Sequence, residues 1–380
     1  MFLIKKFFSF LMCSVLVFLI FPVKTNAVSL GISASSAIVM VAETGEVLYE
    51  KNAHTRRSMA STTKIMTSLI ALEKADLKRE ITVNSNELNV EGTSMGLLPD
   101  DKVTFEALVW GMLLQSGNDA ANVTAVKLGG SREKFISMMN KRAKELGMND
   151  TNFVTPSGLD AKEHYSTAYD MALLGSAAIL NPDFRAVCSQ KQAVAYYGNP
   201  PYRRTLSNHN KLLSYYDGCI GLKTGFTKKS GRCLVSAAER DGVILVAVTL
   251  NAPDDWNDHK KLLDYGFSQV KNSVIENTDI PQKIQVVGGN KQYISVKNTE
   301  TFSVPISEKT EEITSCVLLN KFLYAPVRKG DKAGKIIYYL GDKKIGESIF
   351  VANENVSALK VEKKKSLFQK ITDFIKNIFK

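Results

Sequence analysis

Apolar positions in the first half of the chain fall into short continuous runs and into longer runs at helical spacing. Residues 36–42 are nearly all apolar, which predicts a buried strand, and residues 47–49 follow a turn and start a return strand. An apolar run after residue 61 is expected to be helical. Further helices are predicted over 105–128, 131–146 and 166–180, the first of them interrupted by the polar stretch 116–118.

The pattern changes twice in the second half. Residues 232–239 and 242–251 predict two strands joined by the hairpin turn Arg240-Asp241-Gly242, and residues 254–270 predict a helix. From about residue 273, Val, Ile and Thr alternate with polar residues between Gly-containing turns. The chain therefore predicts an α+β body with an antiparallel sheet and a helical cluster, followed by a small all-β domain.

Both ends of the chain carry separate signals. Lys5 and Lys6 precede an apolar stretch over 7–21, and Thr25-Asn26-Ala27 offers the small residues that a signal peptidase requires. Residues 1–27 are therefore predicted to be a signal peptide, with an uncleaved anchor helix as the alternative. Export follows from either interpretation.

The last twenty residues predict an amphipathic helix. Apolar residues recur at helical spacing on one face, and lysines precede and flank them. The apolar positions are Leu367, Ile371, Phe374, Ile375 and Ile378. The segment is too short and too charged to span a bilayer, and its pattern is typical of a helix lying in the interface of an anionic membrane. Docking on the protein's own β domain is the alternative.

The net charge of +11 reinforces this interpretation, because its excess is concentrated in the leader and in the seven lysines from residue 360 onward. It does not indicate nucleic-acid binding. The four cysteines after the leader have no C-x-x-C spacing and do not cluster with the four histidines, so neither a metal nor another cofactor is expected. They are expected to be buried thiols, with one disulfide as the alternative.

Candidate chemistry begins at Ser61-Thr62-Thr63-Lys64. Residues three apart on a helix share a face, so the lysine amine can reach the serine hydroxyl. Serine is a poor nucleophile without a neighbouring base, and lysine becomes one only if burial or a second cation lowers its pKa. Alone, this spacing also fits an ordinary helix N-terminus, with Ser61 or Thr62 as the N-cap and Lys64 in solvent.

Two further motifs favour the catalytic interpretation. Ser116-Gly117-Asn118 and Lys223-Thr224-Gly225 follow in the order that characterises penicillin-binding proteins and serine β-lactamases. The chain resembles the low-molecular-weight penicillin-binding proteins that act as D-alanyl-D-alanine carboxypeptidases. The similarity extends to the segments 59–67, 113–120, 155–159, 166–170 and 221–227.

This resemblance implies an α+β, β-lactamase-like (transpeptidase-like) catalytic domain over 28–272, a β-rich domain over 273–360 and a membrane-anchoring tail over 361–380. It implies that Ser61 forms an acyl-enzyme after Lys64 takes its proton, with Lys223 keeping Lys64 neutral. Ser116 would relay a proton to the leaving amine, and Asn118 would hold the substrate's amide backbone. Lys223 and Thr224 would bind the terminal carboxylate.

Two further roles concern the backbone. Gly225 would let the substrate approach the strand edge, and the N–H groups of Ser61 and Phe226 would form the oxyanion hole. Some relatives carry His where this chain has Phe226, so a pH dependence tied to that His is not expected. No role is assigned to His209.

The expected substrate is the pentapeptide stem of peptidoglycan, with β-lactams as covalent inhibitors, at the outer face of the cytoplasmic membrane. One alternative is a serine β-lactamase, for which Glu163 is the nearest candidate for the deacylating base. The other is a non-catalytic module that binds wall peptides, against which the intact Ser61, Lys64 and Lys223 argue.

Overall fold

The computed structural model describes residues 28–275, 283–299, 301–308, 310–360, 370–372 and 374. Residues 33 onward form one compact unit, and residues 28–32 belong to a separate N-terminal unit and contain no helix or strand. The predicted signal peptide and most of the predicted tail lie outside the described residues. No helix in the described part of the chain is long and apolar enough to cross a membrane.

The first part of the described chain contains nine strands and eight α-helices. The strands are β1 Ser36–Val41, β2 Val47–Lys51, β3 Glu80–Thr82, β4 Lys102–Thr104, β5 Gln192–Gly198, β6 Pro201–Ser207, β7 Cys219–Thr227, β8 Gly231–Arg240 and β9 Val243–Leu250. The helices are α1 Lys64–Lys74, α2 Phe105–Leu113, α3 Asn118–Gly129, α4 Arg132–Glu145, α5 Ala168–Ile179, α6 Pro182–Cys188, α7 Leu212–Tyr215 and α8 Asp255–Gln269.

A five-stranded antiparallel sheet lies at the centre of this body, in the order β2-β1-β9-β8-β7. Strands β1 and β9 are buried along their whole length because helices cover both faces. Val246 of β9 faces Gly175 of α5, whereas its neighbour Leu245 faces Gly266 of α8. The near-continuous apolar runs predicted as strands therefore reflect burial on two sides.

Helices α2 to α6 pack around α1. Thr167 caps α5 by accepting a hydrogen bond from the backbone N–H of Asp170 at 3.0 Å. A second sheet, β3-β4-β5-β6, lies beside this cluster and was not predicted. The α+β fold with an antiparallel sheet and a helical cluster is confirmed.

The C-terminal part is all-β, as predicted. Its strands are β10 Val270–Ile275, β11 Lys283–Val287, β12 Tyr293–Asn298, β13 Phe302–Ser307, β14 Ile313–Leu319, β15 Phe322–Tyr324, β16 Lys332–Leu340 and β17 Lys343–Ala352. Six of them form a sheet in the order β14-β16-β17-β12-β11-β15, and β10 pairs with β13. Residues 370–372 and 374 are helical, and the rest of the predicted tail helix lies outside the described residues.

Polar contacts join the α+β body to the C-terminal all-β part. The Lys343 ammonium donates to the backbone oxygen of Thr44 at 2.8 Å. The Glu46 carboxylate accepts hydrogen bonds from the hydroxyls of Ser307 and Thr310, the latter at 2.7 Å. Strand β10 also follows α8 directly, because α8 ends at residue 269 and β10 begins at residue 270.

Candidate active site

Ser61 lies in a 3-10 turn, Ala60–Thr63, that precedes α1. The sequence predicted one helix through these residues, but α1 begins only at Lys64. The tighter turn still places both side chains on one side, with Nζ of Lys64 3.1 Å from Oγ of Ser61. Neither Ser61 nor Thr62 caps α1, and Lys64 is fully buried, so the alternative of an ordinary N-cap with a solvated lysine is wrong.

Buried polar groups surround the Lys64 ammonium. Besides Ser61, it donates to Oδ1 of Asn118 and to the backbone oxygen of Ser157, both at 2.6 Å. Burial, and secondly the charge of Lys223, hold the Lys64 pKa well below its usual value, while Asp119 opposes them. These contacts give the lysine the environment in which its neutral form can act as a base.

The segment after Ser157 lies against the same turn. Gly158 has a φ of +89°, and a Cβ on it would stand 1.9 Å from the backbone oxygen of Ala60. Only glycine fits this approach. Nearby, Oγ1 of Thr63 lies 3.0 Å from Nε2 of the buried His164, whose Nδ1 accepts a hydrogen bond from the backbone N–H of Val154.

Ser116 and Asn118 lie where α2 gives way to α3. Ser116 adopts a left-handed backbone with φ of 62°. The Asn118 amide nitrogen donates to the backbone oxygen of Glu91 at 2.7 Å, while its amide oxygen accepts from Lys64. Asn118 was predicted to hold the substrate; in this structure its side chain joins Lys64 to the segment at Glu91.

Asp119 is a structural residue of the site that sequence reasoning missed. Its buried carboxylate accepts hydrogen bonds from the backbone N–H groups of Met95, Gly96 and Leu97, at 2.9 to 3.1 Å. A carboxylate that accepts several backbone donors fixes a loop strongly. It therefore holds the segment that follows Thr93, a residue of the cleft described below.

The third motif lies on the edge strand β7, which packs against the Ser61 turn. Lys223 is buried and donates to the backbone oxygen of Thr224 at 2.9 Å, and burial lowers its pKa to about 7. A Cβ on Gly225 would lie 3.0 Å from the backbone nitrogen of Ser61. Glycine at this position therefore lets the turn itself approach β7, a reason that adds to the substrate approach predicted from the sequence.

These elements enclose a cleft of about 340 Å³. It is lined by Ser61, Thr93, Ser116, His209, Lys211, Thr224, Gly225, Phe226, Arg232, Asp255 and Trp256. Ser61, Ser116 and Thr224 thus share one cavity, whereas Lys64 and Lys223 are buried beside it. Sequence reasoning missed the ion pair of Arg232 with Asp255, at 2.8 Å, because the two residues belong to different elements.

Other candidates lie away from this chemistry. Glu163 is exposed and is not among the residues lining the cleft, so it lacks the position that a β-lactamase base would need. The four cysteines of the described chain are free. Cys188 and Cys233 are buried, as predicted, but Cys219 is only partly buried and Cys316 is exposed on β14, so the expectation of buried thiols is wrong for Cys316. Among the described residues, no group of three His, Cys, Asp or Glu side chains is arranged to hold a metal.

In this site, Ser61 is hydrogen-bonded to a buried lysine, Ser116 lines the same cleft, and the strand that carries Lys223 lies beside it. This is the arrangement of penicillin-binding serine enzymes. Comparison with known proteins narrows this class. The profile of the D-alanyl-D-alanine carboxypeptidase family matches residues 23–254. The profile of the penicillin-binding protein 5 C-terminal domain matches residues 270–358. The chain belongs to the D-alanyl-D-alanine carboxypeptidase family.

Individual D-alanyl-D-alanine carboxypeptidases are similar to this chain over most of its length. The D-alanyl-D-alanine carboxypeptidase DacF of Bacillus subtilis is 31% identical over 337 residues, covering 85% of this chain and 86% of DacF. DacC of Escherichia coli is 32% identical over 363 residues, covering 90% of this chain and 88% of DacC.

Solved structures show the same likeness. The D-alanyl-D-alanine carboxypeptidase DacD from Francisella tularensis superposes with a TM-score of 0.61 at 28% identity, covering 89% of this chain and 96% of that one. The Streptomyces K15 DD-transpeptidase superposes with a TM-score of 0.60 at 35% identity, covering 62% of this chain and 98% of that one. The predicted serine-type D-alanyl-D-alanine carboxypeptidase function is confirmed. A peptidoglycan peptide as substrate, β-lactams as ligands and export of the protein all fit this family.

Proposed function

We propose that Ser61 is the nucleophile and Lys64 the base with which this enzyme removes the terminal D-alanine from peptidoglycan pentapeptide stems. Neutral Lys64 takes the hydroxyl proton as Oγ of Ser61 attacks the carbonyl carbon between the two D-alanines. The C–N bond breaks, and Lys64 passes its proton through Ser116 to the leaving amine. Water then attacks the acyl-enzyme ester, the again neutral Lys64 takes a proton from it, and that proton goes to Oγ of Ser61 as the ester C–O bond breaks.

The observation that carries this proposal is the 3.1 Å contact between Lys64 and Ser61 in a buried environment. A base must lie within hydrogen-bond reach of the proton it removes, and its pKa must lie near the working pH. The Lys64 amine meets the first condition directly, and burial with the Lys223 charge moves it toward the second. Positioning by Asn118 and Ser157 supports the same role.

Substrate recognition is proposed to use the edge strand β7. Thr224 lines the cleft and the Lys223 ammonium lies 3.5 Å from its hydroxyl, so the two can bind the terminal carboxylate together. The carboxylate would stabilise the charged form of Lys223, which in turn favours neutral Lys64. The backbone N–H groups of Ser61 and Phe226 are proposed as the oxyanion hole, and Asn118 is proposed to turn its amide toward the substrate backbone.

The division of the chain into domains is proposed as predicted from the sequence. Residues 1–27 direct export, 28–272 form the catalytic domain, 273–360 form the β domain, and 361–380 anchor the enzyme to the outer face of the cytoplasmic membrane. The exposed apolar side chains of Ile371 and Phe374, in the helical part of the tail, support an interfacial helix.

The test is an assay of D-alanine release from a defined pentapeptide, with mass spectrometry after penicillin treatment. Wild-type enzyme should release D-alanine and gain one penicilloyl group on Ser61. Ser61→Ala should lose both, by at least about 10³-fold in rate, as expected for loss of a nucleophile. Unchanged release by Ser61→Ala would refute the mechanism. A fast-hydrolysed reporter β-lactam, with no lasting adduct, would instead support the β-lactamase alternative.

A further inference from the structure

One face of the six-stranded sheet in the C-terminal part exposes large apolar side chains to solvent. Tyr324 is 71% exposed and Tyr293 56%, and Phe322 and Val287 are about 40% exposed. They lie on the neighbouring strands β12, β11 and β15. We call these four residues, with Lys283 and Gln285 at the other exposed positions of β11, the outer face.

Strand register shows that these side chains form one surface. Gln285 pairs with Tyr293 on one side and with Phe322 on the other, and Val287 pairs with Tyr324. Paired residues share a face of a sheet, and the intervening Ile284 and Val286 are buried in the core. The rings of Phe322 and Tyr324 also contact each other edge-on, with centroids 5.1 Å apart. The outer face is therefore a continuous patch rather than a set of scattered residues.

The chain leaves the β domain beside this patch. The backbone N–H of Leu359 donates to the oxygen of Gly288 at 2.8 Å, and Gly289 pairs with Ala358. Gly288 directly follows Val287, so the lysine-rich tail starts at the border of the outer face. Leu359 is itself mostly exposed at this border.

The tail is a poor candidate to cover the patch. Ile371 and Phe374 belong to its apolar side, yet both are at least half exposed in the described helical residues. A helix docked on the outer face would bury these side chains. Two uncovered apolar surfaces thus arise close together in the chain, and lysines accompany both.

We propose that the outer face is a second membrane-contact surface, which lies on the anionic lipid interface beside the tail. Tyrosine side chains are well suited to the headgroup region, because they combine an apolar ring with a polar hydroxyl, and phenylalanine adds apolar area below it. Lys283 on the same face, and the tail lysines at its border, attract anionic lipids. This inference rests on the proposed tail anchor but adds a contact that the tail alone does not make.

The experiment uses the full mature chain and vesicles of phosphatidylcholine with phosphatidylglycerol, a fraction of the lipids being brominated. Tyr324→Trp places a fluorophore in the outer face, and Leu318→Trp places one on the exposed strand β14 at the opposite edge of the sheet. The native Trp110 and Trp256 give the same background in both variants. The Tyr324→Trp signal should be quenched and blue-shifted on vesicle binding, and the Leu318→Trp signal should not.

A second variant measures the contribution of the face. Phe322→Ser with Tyr324→Ser should weaken vesicle affinity about tenfold, because less apolar area enters the interface, while D-alanine release from a soluble peptide stays unchanged. Quenching equal to that of Leu318→Trp, or unchanged affinity of the double variant, would overturn the proposal while leaving the tail anchor intact. Failure of the wild-type chain to bind vesicles would overturn both. Self-association lost in the double variant, without quenching, would assign the face to a second copy instead.

Discussion

Oγ1 of Thr63 and Nε2 of His164 lie 3.0 Å apart, and this contact joins the turn that holds Ser61 to the loop that supplies the Ser157 oxygen. Nδ1 of His164 accepts from the Val154 N–H, so Nε2 carries the proton and donates to Thr63. Burial lowers the His164 pKa to about 4. A neutral histidine therefore connects the two elements that position Lys64.

His164→Asn should keep the contact with Val154 and remove the contact with Thr63. Its amide oxygen can still accept from Val154, but it cannot reach Thr63, so we expect lower thermal stability and a several-fold lower kcat with little change in KM. Because the folded-state pKa is depressed, the wild type should lose stability as pH falls from about 6.5 toward 4, and the variant should lack this contribution. Melting temperatures of the two proteins across that range measure it. Parallel pH curves would refute the assignment.

Gly158→Ala should distort the nucleophile turn. The added Cβ would overlap the Ala60 oxygen, and a positive φ already disfavours alanine, so we expect a loss of at least about 3 kcal/mol in the free energy of unfolding. Gly330→Ala is the matched control, since it also has a positive φ but nothing within 4 Å of its Cβ, and should cost only about 1 kcal/mol. Denaturant unfolding compares them. Equal costs would show that the close approach at Ala60 has no energetic weight.

Lys223→Met should abolish activity and stabilise the fold. Burial lowers the pKa of this amine to about 7 in the folded protein, so the unfolded chain binds a proton more tightly and folding is penalised. The penalty is largest below pH 7 and disappears as pH rises toward 10.5. Removing it should stabilise the protein by up to about 4 kcal/mol at pH 7 and by little at pH 10.5, while D-alanine release is lost. Unfolding at both pH values and an activity assay test this. A variant that is destabilised at pH 7 would contradict it.

Thiol labelling should distinguish one cysteine from the others. Cys316 is exposed, whereas burial raises the pKa of Cys188 to about 12 and those of Cys219 and Cys233 to about 11. Native mature enzyme should react rapidly with a thiol reagent at one site, because thiolates are the reactive form. Denaturant should expose all four. Recovery of only two reactive thiols after denaturation, without reductant, would indicate a disulfide.

The sequence predicted the elements whose pattern reflects burial on both sides, such as β1 and β9, and it predicted the motif residues that line the cleft. It missed the hairpin of β5 and β6, whose exposed positions mix polar and aromatic residues and give no clean alternation. Ser157 was missed as a partner of Lys64 because it acts through its backbone oxygen, which every residue has. Asp119 was missed because its partners are backbone N–H groups of a loop distant in sequence.

Helix α8 passes directly into β10, which pairs with β13, so the described residues between α8 and this strand pair contain no loop. The contacts of Lys343 with Thr44 and of Glu46 with Thr310 oppose swivelling of the cleft against the β domain from the other side. The cleft is therefore held at a fixed distance from the far end of the β domain. With the proposed tail anchor at that far end, the enzyme should trim stems at one distance from the bilayer, so lengthening the tail linker should shift the layer of wall that it can process.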